Sequence, residues 1–415
     1  MSEAQPRFPR VSHSLPRGPQ VDDVDFRSLY AKEEHEVLTA DGWTLVITRY
    51  RPVAQTWHQP LLGVPLLLVH GLSQNRHAWT AGEFVKNLLY FGIDCHILEL
   101  RGHGKSSVAL QRRKAEELLR PLPLDLSYEW DFGDYLLSDV PAAIETVKRI
   151  TGWSRIAYCG HSMGGIIGYG LASQRSDLLC MATIGAPADL GAQSALLRLV
   201  AQTDRVVPLL QGLTHLWNQK ERLRVAARTG VPLLGDGDAK PRLLNPRVAP
   251  LDTLLGTVYR SLVFAREWTP RVTPRAVRLF NPEHVATDDI QWLLAQGCEK
   301  EPVAVIRTFA KWIRRRELKC YRTGYDIKAG FKRIRLPLTI VFGDQDIFSG
   351  IESTRALYDA VQSDYLVWRP VRGNSHVEVT MGHDIRQICY DVKNLIDYAL
   401  AHQDYAPRLP RHPAS

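Results

Sequence analysis

One stretch decides the fold: Ile156-Ala157-Tyr158-Cys159-Gly160-His161-Ser162-Met163-Gly164-Gly165. Residues 156–159 predict a short buried strand and residues 166–172 predict a helix, with one sharp turn between them. The turn carries Gly-x-Ser-x-Gly, the sequence form of a nucleophile elbow, in which a strained turn exposes a serine to substrate. Gly160 and Gly164 are expected where a Cβ atom would collide with the strand or the helix. This context predicts Ser162 as a catalytic nucleophile.

Apolar runs and helical patterns alternate on both sides of the elbow. Residues 36–48 predict a hairpin that turns at Asp41-Gly42. Buried strands are predicted over 65–69, 93–100, 178–185, 337–342 and 365–370, and helices over 81–91, 134–150, 352–361 and 384–402. Strands that alternate with helices indicate an α/β protein with a mostly parallel, doubly wound sheet. Ligands bind at the carboxyl ends of such strands, so we expect the functional residues there.

The alternation stops between about residues 188 and 333. No apolar strand run occurs there, and helices are predicted over 194–201, 251–268, 287–296 and 302–318. The apolar face of the last helix suits a plain globular helix, or the underside of a cap over the site. The location of the insertion favours the cap. We predict a core over 31–187 and 334–403, a helical cap insertion over 188–333, and flexible tails over 1–30 and 404–415.

The composition is typical of a soluble globular protein, with 45% hydrophobic and 23% charged residues over 415 positions. The net charge of +8 is compatible with an acidic partner, but a generally basic surface explains it more simply. The basic stretches 311–319 and 328–335 contain no recognised nucleic-acid-binding motif. We therefore expect no nucleic-acid partner.

The cysteines and the N-terminus bear on the compartment. The six cysteines form no Cys-x-x-Cys pair, and three lie in apolar strand-like runs, which is typical of free thiols in a reducing compartment. The first 20 residues lack the apolar region of a secretory signal, and the most apolar run, residues 61–69, is too short to span a bilayer. We expect a cytoplasmic protein.

A serine nucleophile needs a base to take its proton and an acid to orient that base. In this fold class the acid and then the histidine follow the nucleophile along the chain. The acid candidates are Asp344 and Asp346, directly after a strand; Asp346 is preferred because it lies further past the strand end, whereas Asp344 is expected to cap the turn. The histidine candidate is His376, in a loop after the final strand, with His383 at the start of the last helix as its rival.

Two backbone amides are expected to form the oxyanion hole. One is the amide of Met163, directly after the nucleophile, and the other is the amide of Leu72, in the turn after the strand at 65–69. His70 and His103 lie in tight glycine turns and are interpreted as structural polar groups. His161, inside the elbow, is expected to line the pocket.

Taken together, these motifs resemble the α/β-hydrolase superfamily. The matching residues are His70-Gly71, Arg-Gly-His-Gly-Lys-Ser at 101–106, the elbow, Gly-Asp-Gln-Asp at 343–346, and His376; the resemblance covers about 35–187 and 335–400 but not the insertion. Within the superfamily the chain is most similar to the acid-lipase type, in its opening hairpin at 36–42, its helix at 139–144 and its segment at 376–379. The elbow region is also similar to polyhydroxyalkanoate synthases, which use cysteine where this chain has Ser162.

The resemblance implies an α/β-hydrolase fold, and the serine implies hydrolysis rather than polymerisation. We predict a serine hydrolase that cleaves carboxylic esters with an apolar acyl chain, through an acyl-enzyme. The alternatives are an acyltransferase or thioesterase with the same residues, and a catalytically silent binding protein. The expected partner is a small-molecule ester or acyl substrate, with transient contact with lipid surfaces; the oligomeric state stays open. No metal-ligand spacing, dinucleotide fingerprint or phosphate-binding loop occurs, so no metal and no cofactor are expected.

Overall fold

An eight-stranded, mostly parallel sheet organises the molecule in the computed structural model, which describes residues 30–53, 63–119, 126–191, 201–202, 215–220, 223, 245–249, 281 and 283–402. The strand order is β1-β2-β4-β3-β5-β6-β9-β10, and β2 runs antiparallel to both of its neighbours, β1 and β4, whereas the other pairings of the described sheet are parallel. The strands are β1 Tyr30–Leu38, β2 Thr44–Pro52, β3 Pro65–Val69, β4 Asp94–Glu99, β5 Ile156–His161, β6 Leu178–Ile184, β9 Leu338–Gly343 and β10 Leu366–Val371.

Helices connect these strands and lie on both faces of the sheet. In chain order they are α1 His77–Thr80, α2 Phe84–Tyr90, α3 Val108–Leu118, α4 Phe132–Asp134, α5 Val140–Thr151, α6 Met163–Ala172, α7 Thr287–Trp292, α8 Val303–Arg315, α9 Ile327–Gly330, α10 Ile351–Ala360, α11 Glu378–Met381 and α12 Ile385–His402. A short antiparallel pair, β7 Val248–Ala249 and β8 Glu301–Pro302, lies outside the main sheet. The predicted α/β-hydrolase fold class is confirmed.

The apolar strand runs exist because the central strands are buried on both faces. In β3, Leu67 and Val69 contribute to one hydrophobic core, whereas Leu66 and Leu68 contribute to the core on the opposite face. Helix α6 supplies Ile166 and Ile167 to the first core, and α12 supplies Ile388, Val392, Leu395 and Ile396 to the second. Because successive side chains of a strand point to opposite faces, each strand contributes to both hydrophobic cores.

The sheet topology has a switch point between β3 and β5. From β3 the chain first adds β4 on one side and then returns to add β5, β6, β9 and β10 on the other. In open α/β sheets, the crevice at such a point is where ligands bind. The turn after β3 and the elbow after β5 therefore lie side by side at the carboxyl edge.

The structure differs from the sequence expectations in four places. The helix predicted over 134–150 is interrupted by a π-helical segment, Tyr135–Asp139, and the elbow helix begins at Met163 rather than at 166. The predicted helix over 287–296 ends in a π-helical segment, Leu293–Gly297. The insertion also contains the strands β7 and β8, which were not expected because a strand of two residues is too short to leave a pattern in the sequence. The helices expected over 194–201 and 251–268 lie largely or wholly outside the described residues.

Helix α8 of the insertion packs on the hydrophobic core beside the sheet. Its residues Phe309 and Trp312 are buried, and the Trp312 ring meets Phe132 edge-on at 4.7 Å between centroids. Both belong to the same hydrophobic core as the elbow helix. This contact favours the plain globular interpretation of the apolar face of α8. The domain boundaries themselves stay a prediction.

Two further observations on the described part of the chain concern membrane-spanning helices and the cysteines. None of its helices combines the length and the apolar character needed to cross a membrane. All six cysteines carry free thiols, and every one except Cys298 is buried.

Candidate active site

The elbow holds Ser162 in a strained conformation. Its backbone has φ 50° and ψ −116°, in a region that non-glycine residues rarely adopt. The flanking glycines make this turn feasible: a Cβ on Gly160 would lie 2.4 Å from the Gly164 carbonyl, and one on Gly164 would lie 2.3 Å from the Val69 oxygen. The predicted need for small residues at both positions is confirmed.

Ser162, His376 and Asp346 form one hydrogen-bonded chain. His376 Nε2 lies 3.0 Å from Ser162 Oγ, and His376 Nδ1 lies 2.8 Å from Asp346 Oδ2. Because a carboxylate only accepts, Nδ1 carries the proton and Nε2 is left to accept the serine hydroxyl proton. The three side chains come from the ends of β5, β9 and β10, as expected for this edge of the sheet.

The surroundings of Asp346 stabilise the ionised form of its carboxyl group. Its carboxyl group is fully buried and accepts hydrogen bonds from the amides of Phe348 and Ser349 and from the Ser349 hydroxyl. Burial alone would raise the pKa of Asp346, but His376 and these hydrogen bonds hold it below its usual range. The group therefore stays ionised and can stabilise a positively charged His376.

Asp344 and His383, the alternative candidates for the acid and the base, are not part of this hydrogen-bonded chain. Asp344 Oδ1 accepts a hydrogen bond from the Gly373 amide at 2.8 Å, so it caps the loop that leads to His376, as the sequence suggested. His383 is exposed at the start of the last helix. Neither makes a hydrogen bond to Ser162 among the described residues.

The turn after β3 lies directly against the serine. A Cβ on Gly71 would lie 2.9 Å from Ser162 Cβ, so only glycine permits this approach. Neither the Leu72 amide nor the Met163 amide has an acceptor among the described residues. The two amides are therefore available to hydrogen-bond an oxyanion beside Ser162.

His70 orients the peptide that carries the Leu72 amide. It is buried, and its Nδ1 lies 2.9 Å from the Gly71 carbonyl oxygen, while its Nε2 accepts from the Leu100 amide at 3.2 Å. In a trans peptide the carbonyl and the following N–H point in opposite directions. Because His70 Nδ1–H holds the Gly71 carbonyl on one side, the Leu72 N–H points to the other.

Ser73, the next residue of this turn, has a left-handed backbone with φ 57°. That conformation costs a residue with a side chain about 1 kcal/mol or more. Glu299 and Glu301 of the insertion hold Ser73 there: the Ser73 amide donates to Glu301 Oε2 at 2.7 Å, and the Glu299 amide donates to the Ser73 carbonyl at 2.8 Å. The Ser73 hydroxyl also donates to the Glu299 carbonyl.

Glu301 is completely buried, yet three donors satisfy it. Besides the Ser73 amide these are His103 Nε2 at 3.1 Å and the Tyr135 hydroxyl at 2.8 Å. His103 Nδ1 in turn faces the Arg101 carbonyl at 2.9 Å, so both of its ring nitrogens meet acceptors. Burial lowers the pKa of His103, but Glu301, Glu299 and the Arg101 carbonyl together outweigh burial and raise it, which favours a charged imidazolium.

His161 links the two sides of the site. Its Nδ1 lies 2.9 Å from Gln74 Oε1, and its Nε2 lies 3.2 Å from the His376 carbonyl oxygen. Gln74 Oε1 also accepts from the Gly71 amide at 2.9 Å. Burial and the neighbouring His376 lower the pKa of His161 to about 3. The side chain is buried next to Ser162, and its expected place in the lining of the pocket stays a prediction.

The sequence did not reveal Gln74, Glu299, Glu301 or Glu378 as part of this region. Glu301 follows Glu299 and Lys300 in what resembles an ordinary solvated charge run. Glu378, in α11, is fully buried, and neither of its carboxyl oxygens has a hydrogen-bond partner among the described residues. Burial raises the pKa of Glu378 to about 8, which nearby backbone amides offset only in part.

A family model described as the alpha/beta hydrolase fold matches residues 64–235. The matched range begins just before β3 and includes the turn after β3, which carries the predicted oxyanion donor Leu72 and is called the oxyanion turn below, and the elbow. It ends before β9, so Asp346 and His376 lie outside it.

Two mammalian proteins and one solved structure are similar to parts of this chain. A tear acid lipase-like protein of Mesocricetus auratus is 25% identical over 149 residues, and the gastric triacylglycerol lipase of Homo sapiens is 26% identical over 145 residues. These alignments cover 36% and 34% of this chain, and the same shares of the relatives. The chain thus matches about a third of the length of these curated relatives. Among solved structures, DcsB in complex with its substrate analogue superposes with a TM-score of 0.50 at 11% identity, over 89% of this chain and 100% of that one.

Proposed function

We propose that this chain, an α/β-hydrolase of the acid-lipase type, is a serine hydrolase that cleaves carboxylic esters with an apolar acyl chain. The observation that carries the proposal is the hydrogen-bonded chain from Ser162 through His376 to Asp346, with separations of 3.0 and 2.8 Å. Such a chain is the arrangement that activates a serine hydroxyl at neutral pH.

The first half of the reaction forms an acyl-enzyme. Ser162 Oγ attacks the ester carbonyl carbon while His376 Nε2 takes the hydroxyl proton. The carbonyl oxygen becomes an anion that the amides of Leu72 and Met163 stabilise. His376 then gives its proton to the departing alkoxide, so that an alcohol leaves and Ser162 carries the acyl group.

The second half returns the free enzyme. A water molecule gives a proton to His376 Nε2 and attacks the acyl carbonyl carbon. The second tetrahedral intermediate uses the same two amides, and its collapse breaks the bond to Ser162 Oγ, which takes back the proton. The buried, ionised Asp346 stabilises the imidazolium in both halves.

The relatives and the cysteines support the finer parts of the proposal. One mammalian relative is named as a lipase and the other as a lipase-like protein, which favours an acyl ester of a lipid as substrate and transient contact of the enzyme with lipid surfaces. Six free cysteines, most of them buried, favour a reducing compartment such as the cytoplasm. We propose a small-molecule ester as the partner and no nucleic acid.

The test is hydrolysis of p-nitrophenyl esters from acetate to palmitate, with acyl-CoA thioesters in parallel, by wild type and Ser162→Ala. We expect turnover by the wild type, with a preference for longer acyl chains, and loss of at least about 10⁴-fold in the variant. Equal activity in both proteins would contradict the mechanism. Turnover of acyl-CoA alone would replace ester cleavage by thioester chemistry on the same residues.

A further inference from the structure

The insertion reaches into the oxyanion turn through one buried carboxylate. Glu301 lies in β8, outside the hydrolase sheet, and its Oε2 accepts from the Ser73 amide at 2.7 Å. Ser73 directly follows Leu72, whose amide is one of the two proposed oxyanion donors. We propose that Glu301 is a positioning residue that holds this amide in register with Ser162, an inference that rests on the proposed serine chemistry.

The backbone of Ser73 explains why the turn needs an external support. Its φ of 57° is a conformation that a serine adopts only when its surroundings impose it. The Gly71 end of the turn is already constrained, by His70 on the Gly71 carbonyl and by Gln74 on the Gly71 amide. Among the described residues, the amide and carbonyl of Ser73 itself are held by Glu301 and Glu299, both from the insertion.

Glu301 is built to act as a rigid support. Its side chain is fully buried, and its remaining bonds go to His103 and to the Tyr135 hydroxyl. The Trp130 indole in turn donates to the Tyr135 oxygen at 2.9 Å. Three donors on one buried carboxylate leave it a single position, because moving it would leave a buried charge without partners.

The position of the Leu72 amide matters because an oxyanion-hole donor acts only at short range. Removing one such donor typically lowers kcat by about 10²–10³-fold, and a displaced donor loses part of that. A residue that only displaces the donor leaves ground-state binding nearly intact, so kcat falls while KM changes little. This split separates a positioning role from a role in shaping the substrate pocket.

The experiment compares Glu301→Ala and Glu301→Gln with wild type on the p-nitrophenyl ester that the wild type cleaves fastest. We expect kcat of Glu301→Ala to fall on the order of 10- to 100-fold with KM within about twofold. Glutamine keeps one carbonyl oxygen for the Ser73 amide, so Glu301→Gln is expected to recover kcat to within about fivefold of wild type. Tyr135→Phe, which removes one donor from Glu301, serves as the second variant if Glu301→Ala does not fold.

A matched control separates positioning from general loosening of the insertion. Arg322 ties another part of the insertion to the core through two hydrogen bonds to Asp134, at 2.5 and 2.6 Å, without touching the oxyanion turn. Arg322→Gln is expected to lower the melting temperature but to leave kcat within about twofold. A kcat loss in Arg322→Gln equal to that in Glu301→Ala would overturn the proposal.

A second readout follows the oxyanion directly. A trifluoromethyl ketone with the same acyl chain forms a tetrahedral adduct on serine, and its inhibition constant should weaken in Glu301→Ala by the same factor as kcat. Unchanged kcat and inhibition in folded Glu301→Ala and Tyr135→Phe, or a raised KM alone, would overturn the proposal and leave the serine mechanism standing. A wild type that cleaves no ester and binds no ketone would instead overturn both.

Discussion

The two sides of Ser162 are held by contacts of very different origin. On the base side, Asp346 and His376 follow adjacent strands of the sheet, and their hydrogen bond joins residues 30 positions apart. On the oxyanion side, the Ser73 amide is held by Glu301 across 228 positions. The sheet thus supplies the proposed base by itself, whereas the turn that carries the proposed oxyanion donor is held from the insertion. We expect losses on the base side to abolish turnover and losses on the oxyanion side to reduce it.

The largest effect is expected at His376. His376→Ala removes the only proposed base, so kcat should fall on the order of 10⁶-fold, to the background rate. The matched control is His383→Ala, an exposed histidine seven positions away, which should leave kcat within about twofold. Steady-state kinetics on one p-nitrophenyl ester compares the two, and a comparable loss in His383→Ala would refute the choice of base.

Asp346→Asn should have the next largest effect. Asparagine keeps the size of the side chain but can present its amide N–H to His376 Nδ1, which stabilises the wrong tautomer, so kcat should fall on the order of 10⁴-fold. Asp344→Asn, which affects only the bond to the Gly373 amide, should cost less than about threefold. If the two variants lose equal activity, the acid has been assigned to the wrong aspartate.

The pair of Glu301 and His103 offers a pH test of the oxyanion side. Glu301 raises the pKa of His103, so the stability that the pair contributes is present below the ordinary histidine value of 6.5 and is lost as pH rises through the raised pKa. The difference in melting temperature between wild type and Glu301→Gln should therefore be largest near pH 6 and shrink as pH rises. A difference that is independent of pH would mean that the pair is not charged.

At Glu378 the stability gap between variant and wild type should widen rather than shrink as pH rises, with a small effect on activity. Its folded pKa is about 8, against 4.5 for an exposed glutamate, so the wild type loses stability as pH rises from about 4.5 to 8. Glu378→Gln lacks this loss and should become increasingly more stable than wild type over that range, with kcat within about threefold. Thermal melts from pH 5 to 8 measure the gap, and a gap that narrows as pH rises would contradict an unpartnered carboxyl group.

The same contrast explains what the sequence could predict. Ser162 could be singled out from the sequence because the two glycines and the flanking strand and helix are its near neighbours in the chain. Asp346 and His376 could be singled out because each follows a buried strand whose apolar run is evident in the sequence. The mostly parallel sheet follows from the alternation of those runs, and it is confirmed.

The support of the oxyanion turn could not be predicted in the same way. Serine gives no sign of the left-handed backbone at Ser73, because glycine or asparagine is the usual residue there. Glu301 becomes a buried partner only through contacts with residues far away in the chain, in an insertion whose strand β8 has two residues. Side-chain pairing across such distances depends on packing, which local patterns do not encode.

Covalent labelling measures the central claim, that Ser162 is an activated nucleophile, without depending on the choice of substrate. The folded wild type, its Ser162→Ala variant and its Glu301→Ala variant are treated with a fluorophosphonate, digested and analysed by mass spectrometry. We predict a single phosphonylated residue in the wild type, Ser162, no adduct in Ser162→Ala, and a slower reaction at the same residue in Glu301→Ala. No adduct on folded wild type, or an adduct on another residue that persists in Ser162→Ala, would contradict the account.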